Sequence, residues 1–429
     1  MKKKYRIILY TSIFLLCVVA SIILVVKKSN SVYEEESKPK VVKHKSMLSM
    51  NLEQTAGSGD YKTVTQSKWP TEGYKFNAEL SRCENGSTLS WDDTKKAVIV
   101  SGNLSDKCYV YFDIYQPTLA EYIKSQYTGT QGENNIYYHD SDLANGAGDN
   151  SYRYAGANPN NFVCFGSDTS PCPTDNLYRI IGVFGENYHG VTGKQLVKLI
   201  KYDYMTTDEL GTDGDYSQTY KEWGMDSTYK GTYGDGERIG VYYWNYKATG
   251  SATNTWSTSL LNKTNLNTNF INYLGTTWAN KIATVTWKVG GNTWANIGTK
   301  TSSVAYTNEI TNPVTTNTTD NATTYSAKIG LMYVSDYGFA ASPDAWTLTM
   351  SSYNNTTATN NNWMYMGLYE WTISRSAGYS NYAFRVDDGG FVNGYDVNSR
   401  SGVRASFNLE SSVSYVSGSG SMSDPIVIN

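Results

Sequence analysis

The feature that most constrains this chain is a run of 20 uncharged, mostly apolar residues from Ile7 to Val26. As a helix that rises about 1.5 Å per residue, the run matches the hydrocarbon core of a bilayer, which is about 30 Å thick. Four basic residues precede the run, and only Lys27 and Lys28 follow it directly. The positive-inside bias places the more basic end in the cytoplasm. The sequence therefore predicts a single-pass membrane anchor over residues 1–28, with the C-terminal domain outside the cell.

A cleaved signal peptide is the alternative interpretation of the same segment. Val18, Val19 and Ala20 are small enough for a signal peptidase site. The apolar sequence continues beyond them from Ile22 to Val26, which favours a retained anchor. We therefore predict a protein of the cell membrane that contacts the bilayer through its N-terminal helix.

The remainder of the chain is acidic and rich in aromatic residues. From Ser46 onward there are 26 basic and 36 acidic residues, so this part carries a formal charge of −10. Such a body repels a phosphate backbone, which argues against nucleic-acid binding. Aromatic residues make up 14% of the chain and charged residues only 17%, a composition typical of strands and turns. We expect a β-rich α+β protein.

The cysteines also indicate an exported protein. Cys17 lies in the predicted anchor, and the other four form two local pairs, Cys83 with Cys108 and Cys164 with Cys172. Two pairs outside the membrane predict two disulfides, although four free buried thiols are the alternative. The three histidines have no Cys-x-x-Cys partner nearby, so we predict no metal site.

Beyond the anchor, residues 29–48 lack periodicity and are predicted to form an extended stalk. Residues 49–117 are predicted to be a small β-sandwich-like module. In it, apolar and polar residues alternate from Cys108 to Ile114, as in a strand with one buried face, and Ala97–Val100 predicts a second strand. A disulfide between Cys83 and Cys108 would stabilise this module by roughly 3–4 kcal/mol in the chain-entropy model.

Residues 118–176 are predicted to hold a short connecting helix and a loop-rich segment. Thr118 and Glu121 have the spacing of a capping box, which indicates that a helix begins there. The segments Leu177–Phe184 and Gln195–Tyr202 predict a pair of strands.

Two more segments of the C-terminal region have their own predictions. The apolar spacing of Leu266, Phe270, Ile271 and Leu274 predicts a helix after Ser257. The Asn/Thr tract at 301–325 has weak propensity for any element and is interpreted as a surface loop.

Five short segments follow one another in the C-terminal part: Trp256–Asn262, Ile329–Asp336, Glu370–Arg375, Gly389–Gly390 and Gly402–Phe407. Their order resembles that of a group of bacterial surface domains whose fold is similar to the C-type-lectin-like fold of the formylglycine-generating enzyme family. The resemblance covers residues 177–429 and implies a compact, loop-rich mixed β fold with two helices and both termini close together. Ala405 stands in place of the family's proline near the end of the chain.

The activities known in this family do not extend to this chain. The formylglycine-generating enzymes act through a late pair of cysteines, and no cysteine follows Cys172. Calcium-dependent lectins use Glu-Pro-Asn or Gln-Pro-Asp together with Trp-Asn-Asp, and neither set is present. We therefore predict neither a cofactor nor a catalytic residue.

An aromatic and amide-rich region near the C-terminus is the predicted ligand-binding site. Flat aromatic faces stack on sugar rings or peptides, while amides orient the ligand through hydrogen bonds. The alternative is that the tryptophans belong to the core and that Arg375, Arg385 and Arg404 anchor the fold through buried ion pairs. The predicted site residues are Trp363, Tyr365, Tyr379, Asn381, Tyr382, Arg385, Tyr395 and Asn398.

The functional prediction is a non-catalytic cell-surface protein for ligand binding or adhesion. Its ligand would be a glycan or a surface protein. Two alternatives are an envelope glycan hydrolase that uses two carboxylates across a cleft and a structural component of a surface assembly.

Overall fold

The computed structural model describes residues 48–65, 68–70, 73–224, 228–290, 300–313 and 322–429. Among these residues there is no helix with the length and apolar character needed to cross a bilayer. The predicted anchor and residues 29–47 of the predicted stalk lie outside the described part. The chain divides into two compact units, the first ending at Tyr115 and the second beginning at Gln116.

The first unit contains a four-stranded sheet and a separate hairpin. Its strands are β1 (Leu48–Glu53), β2 (Tyr61–Val64), β3 (Tyr74–Cys83), β4 (Thr88–Asp92), β5 (Ala97–Ser101) and β6 (Cys108–Ile114). The sheet has the order β2-β1-β6-β3, with β1 parallel to β6, and β4 pairs with β5 in the hairpin.

A small apolar core holds this unit together. Met50, Leu52, Val110 and Phe112 are buried, and Trp91 of the hairpin packs edge-on against Phe112 with ring centroids 5.6 Å apart. The residues of β6 alternate between buried and half-buried positions. The predicted one-faced strand is thereby confirmed.

Both predicted disulfides are present. Cys83 and Cys108 occupy paired positions of β3 and β6, so their bond joins two neighbouring strands of the first unit. Cys164 and Cys172 close a short loop of the second unit.

The second unit is also rich in strands, several of them short. They are β7 (Ile136–His139), β8 (Ser151–Tyr154), β9 (Phe162–Cys164), β10 (Leu177–Phe184), β11 (Leu196–Lys201), β12 (Tyr216–Thr219), β13 (Gly240–Tyr243), β14 (Val285–Lys288), β15 (Thr324–Ala327), β16 (Ile329–Gly330), β17 (Glu370–Arg375), β18 (Tyr382–Val386), β19 (Val392–Asp396), β20 (Arg400–Ser401), β21 (Ser406–Asn408), β22 (Tyr415–Ser417) and β23 (Val427–Ile428).

Short helices connect these strands, which gives the β-rich α+β class that the composition predicts. The α-helices are α1 (Leu119–Ser125), α2 (Glu186–His189), α3 (Thr207–Leu210), α4 (Tyr220–Trp223), α5 (Ile271–Ala279), α6 (Ser302–Tyr306), α7 (Val334–Phe339) and α8 (Asn355–Asn361). Wider π-helical turns span Leu261–Phe270 and Thr307–Thr311, and 3₁₀ turns span Glu133–Asn135, Thr174–Asn176, Trp256–Thr258, Pro343–Thr347 and Met350–Ser352.

The largest sheet has the order β16-β21-β11-β10-β8-β7, and β9 also pairs with β10. Every residue of β10 is buried, so this strand needs partners on both of its edges. The strands β8 and β9 supply one edge and β11 the other. The boundary we predicted between residues 176 and 177 is therefore not a division of the fold, because 118–176 contributes three strands to the same sheet.

Two predicted helices are confirmed. Helix α1 begins after Thr118, whose side chain and that of Glu121 form the predicted capping box. After Ser257, helical backbone runs from Leu261 into α5, although its first ten residues form wider π turns and Gly275 interrupts the helix within α5. In these turns Leu266 and Phe270 are fully buried, so the apolar spacing marks the core-facing side.

The interpretation of 301–325 as a surface loop is wrong for residues 301–311, and residues 314–321 of that tract lie outside the described part. Helix α6 and the π turn that follows it bury Ala305, Tyr306, Glu309 and Ile310. The Glu309 carboxylate accepts hydrogen bonds from the backbone N–H groups of Val334 and Ser335 at 3.1 and 3.0 Å, and from a serine hydroxyl. By capping α7 from another part of the chain, Glu309 ties residues 301–311 to the core. This contact stabilises helical turns in a tract whose own helix propensity is weak.

We expect Glu309 to make the stability of the second unit depend on pH. Burial raises the pKa of Glu309 from 4.5 to about 7. A carboxyl group with a raised pKa in the fold contributes stability below pH 4.5 that is lost as the pH rises through about 7. The shift corresponds to about 3 kcal/mol. Urea denaturation between about pH 4 and about pH 8 should show a loss of stability that is smaller in Glu309→Gln than in the wild type by about this amount.

The exposed Asp142 provides a control for this experiment. The Asp142→Asn variant should keep the pH dependence of the wild type. A Glu309→Gln variant that retains the full slope would contradict the assignment.

Candidate functional site

A cleft of about 580 Å³ in the second unit is the candidate ligand site. Its walls are formed by the loop before β9, by β9 and β10, and by the segment that follows α8. Its lining combines aromatic faces, amides and two cations. The described lining residues are Ala157, Asn158, Pro159, Asn160, Phe162, Arg179, Tyr202, Lys230, Asn360, Asn362, Trp363, Tyr365, Met366 and Met422.

Arg179 stands at the base of this cleft. It projects from β10 and is stacked between two rings, with its guanidinium carbon 4.4 Å from the centroid of Phe162 and 4.6 Å from that of Trp363. A guanidinium that is held between aromatic faces in this way gains cation–π attraction and keeps a fixed plane. The side chain is only 5% exposed, yet it lines the cleft.

The hydrogen-bond partners of Arg179 are all neutral. Its Nε donates to Oδ1 of Asn161 at 2.7 Å, and its terminal nitrogens donate to the carbonyl oxygens of Pro159 and Trp363 at 3.0 and 3.3 Å. Among the described residues no carboxylate forms an ion pair with it. Burial, together with a smaller effect of the nearby Arg404 charge, lowers the pKa of Arg179 to about 9, so the group is still charged at neutral pH. The cleft therefore carries a positive charge that has no carboxylate partner among the described residues.

A second cation lies at the mouth of the cleft. The Lys230 ammonium is 4.7 Å from the centroid of the Tyr365 ring, and the backbone N–H of Lys230 donates to the carbonyl of Met366 at 3.0 Å. Burial lowers the pKa of Lys230. The described lining includes neither aspartate nor glutamate, so the cleft favours an anionic ligand.

A buried ion pair behind the cleft fixes its walls. Arg404 and Glu370 are 1% and 2% exposed, and Nε of Arg404 lies 2.9 Å from Oε1 of Glu370. The terminal nitrogens of Arg404 donate to the carbonyls of Tyr202 at 3.3 Å and Met364 at 2.5 Å. Tyr202 lines the cleft and Met364 lies between two lining residues, so the pair positions both sides.

The structure divides the predicted site residues into two groups. Trp363 and Tyr365 line the cleft, although they are only 4% and 2% exposed. The indole N–H of Trp363 donates to the backbone carbonyl of Tyr154 at 2.9 Å. The Tyr365 hydroxyl donates to the backbone carbonyl of Asp388. The other six do not line the cleft and belong to the sheet β17-β18-β19 and its adjoining loops: Tyr379, Asn381, Tyr382, Arg385, Tyr395 and Asn398.

Within this second group the polar side chains mainly stabilise the sheet and its loops. Asn381 donates to Asp396 at 2.6 Å, and Oδ1 of Asn398 accepts from the backbone N–H of Lys247 at 3.3 Å. Tyr379 is 53% exposed and its ring packs beside that of Tyr382 with centroids 5.5 Å apart.

The three arginines considered as fold anchors differ from one another. Arg385 is buried, stacks 3.3 Å from the centroid of Tyr395 and pairs with Asp387 at 2.9 Å. Arg404 pairs with Glu370, as expected. Arg375 forms no ion pair with the described residues. Its Nε donates to the carbonyl of Val289 at 2.8 Å instead.

Sequence reasoning missed the two cations of the cleft. Arg179 is the charged residue of an otherwise apolar, fully buried strand, and that contrast was a usable signal. Lys230 has no comparable signal, because it lies in a loop rich in Gly, Tyr and Asp.

Comparison with known proteins adds no relative: no family model, curated protein or solved structure matches this chain.

Proposed function

We propose that this protein is a non-catalytic, membrane-anchored receptor of the cell surface whose second unit is a C-type-lectin-like domain that binds acidic glycans. The N-terminal apolar run supports the anchor, and the short motifs of the C-terminal region support the domain class. The cleft around Arg179 supports the ligand class.

Arg179 is the observation that carries the proposal. A buried guanidinium with neutral partners retains N–H groups and charge for an incoming carboxylate, which it can bind in a bidentate manner. The three hydrogen bonds of Arg179 use three of the five guanidinium N–H groups. The flat faces of Trp363 and Tyr365 suit a sugar ring, and the amides of Asn160 and Asn362 suit its hydroxyls.

The two alternative functions receive less support from this cleft. A glycan hydrolase of the usual kind needs two carboxylates across the substrate, and the described lining offers none. An assembly component would be expected to use an extended exposed surface rather than a cationic cleft.

Binding of the full-length chain to an array of neutral and acidic glycans tests the proposal. We expect retention of glycans with carboxylate-bearing sugars, at equal strength in calcium and in chelator, because the described lining of the cleft has two cations and no carboxylate to bind calcium. Retention of neutral glycans alone, or no binding to any glycan of the array, would contradict the proposal.

Lys230→Ala should weaken binding to an acidic glycan about 5- to 10-fold and reduce its salt dependence, because one of the two cleft cations is lost. Lys230 is exposed, so its replacement by alanine should leave the fold intact, and a loss of binding would not result from misfolding. Surface plasmon resonance at two salt concentrations measures the effect.

Two variants control this experiment. Lys221→Ala removes an exposed lysine that pairs with Glu237 away from the cleft, and it should bind as the wild type does. Tyr379→Ala removes an exposed side chain of the predicted site residues that do not line the cleft, and it should also leave binding unchanged. If Tyr379→Ala lost binding and Lys230→Ala did not, the ligand would bind at the β17-β18-β19 sheet, and the assignment to the cleft would be wrong.

A further inference from the structure

A lysine and an aspartate from distant parts of the chain meet in the core of the second unit. Lys198 comes from β11 and Asp336 from α7, and 138 residues separate them. Nζ of Lys198 lies 2.7 Å from Oδ2 of Asp336, and both side chains are fully buried. A primary amine and a carboxyl group are thus held in contact away from water.

One hydroxyl group contacts both members of this pair. Tyr188 accepts a hydrogen bond from Nζ of Lys198 at 2.6 Å and donates one to Oδ1 of Asp336 at 2.6 Å. The backbone N–H of Tyr333 donates to Oδ2 of Asp336 at 2.9 Å. The carboxyl group is therefore oriented through both of its oxygens, and a proton path connects the amine to Oδ1.

Aromatic rings enclose the Lys198 amine, and Asp336 also faces Arg153, with Nη1 3.8 Å from Oδ1. The Lys198 ammonium is 4.8, 4.9 and 4.3 Å from the ring centroids of Tyr188, Trp287 and Tyr333. Burial lowers the pKa of Lys198 to about 8 despite the nearby Asp336. An amine that is desolvated in this way becomes a nucleophile, and a closed site excludes the water that would reverse a condensation.

We propose that Lys198 and Asp336 condense to an intramolecular amide bond. Proton transfer from Nζ through the Tyr188 hydroxyl to Oδ1 leaves a neutral amine and a carboxylic acid that carries its proton on Oδ1. Nζ then attacks Cγ, the new N–C bond forms, and the bond from Cγ to Oδ1 breaks. Tyr188 takes a proton from the nitrogen and delivers it to Oδ1, which departs as water. Oδ2, held by the N–H of Tyr333, remains as the amide oxygen, so the reaction needs no oxidant or further reactant.

A second buried lysine–carboxylate pair lacks the feature that makes condensation of Lys198 with Asp336 feasible. Lys201 and Glu209 are also buried, with Nζ 2.9 Å from Oε1. The other oxygen of Glu209 caps α3 by accepting from the N–H and hydroxyl of Thr206. No described hydroxyl bridges Lys201 and Glu209 as Tyr188 bridges Lys198 and Asp336, so this pair lacks the proton path.

Mass spectrometry of the denatured, disulfide-reduced full-length chain tests the proposal without any variant. We expect a mass one water molecule below that encoded by the sequence. Tandem fragmentation should yield a branched peptide that joins Lys198 to Asp336. The full encoded mass, or a water loss that maps to Lys201 and Glu209 or to any other pair, would overturn the assignment.

Three variants test the role of each group. Lys198→Met should show the full encoded mass, whereas Lys201→Met should still show the loss of water. Tyr188→Phe retains the ring and removes the bridging hydroxyl, so it should accumulate the unlinked chain. A Tyr188→Phe chain that is as completely linked as the wild type would overturn the proton path through Tyr188.

Discussion

Glu370→Gln is expected to lower the free energy of unfolding of the second unit by about 3–5 kcal/mol, because it leaves the buried Arg404 guanidinium without its counter-ion. The pair is almost fully enclosed, and Nε of Arg404 lies 2.9 Å from Oε1 of Glu370. Removal of one partner from such a pair costs far more than the pair itself contributes. The same variant should weaken ligand binding, because Arg404 also holds the carbonyls of Tyr202 and Met364 beside the cleft.

Urea denaturation followed by tryptophan fluorescence measures this loss. Lys221→Ala, which breaks the exposed pair with Glu237, is the matched control and should change stability by no more than about 0.5 kcal/mol. If Glu370→Gln were as stable as this control, the ion pair would not be the anchor of the cleft walls.

Replacement of Cys83 and Cys108 by serine is expected to destabilise the first unit by about 3–4 kcal/mol. The bond closes a loop of 25 residues, and its loss restores that conformational freedom to the unfolded chain. The unit has few buried apolar side chains to compensate, since Met50, Leu52, Val110 and Phe112 form most of its core. Domains with so small a core often fail to fold without their disulfides.

Calorimetry of the full-length chain separates this effect from the second unit. The double variant Cys164→Ser with Cys172→Ser is the control, because its bond spans only 8 residues and should contribute about 2–3 kcal/mol to the second unit alone. An unchanged first-unit transition in the Cys83 and Cys108 variant would contradict the account of that unit.

Periodic segments of the sequence predicted their structures well. The alternation in β6, the apolar strands β10 and β11 and the capping box of α1 are local signals, and the structure confirms them. In the Asn/Thr tract at 301–325, residues 301–311 were mispredicted because their helical turns depend on Glu309, which acts through a hydrogen-bonded contact with α7 rather than through local propensity.

Only the aromatic part of the cleft could be predicted from the sequence, because its cations reach the cleft through long-range contacts. Trp363 and Tyr365 stood out as aromatic residues in an amide-rich segment. Arg179, the residue that defines the chemistry of the cleft, is 184 positions away from Trp363, and only the folded chain brings the two together. The sequence indicates that Arg179 is unusual in its strand, but it does not indicate which residues face its charge.

Calorimetric titration of the full-length chain with a carboxylate-bearing sugar tests the central claim most directly, with wild type and Arg179→Gln compared under the same conditions. Loss of a bidentate, charge-assisted contact should weaken binding by at least about 10-fold, or about 1.4 kcal/mol, and should abolish the preference over the matching neutral sugar. Near-ultraviolet circular dichroism confirms that the variant is folded. A folded Arg179→Gln variant that binds the acidic sugar as tightly as the wild type would contradict the account.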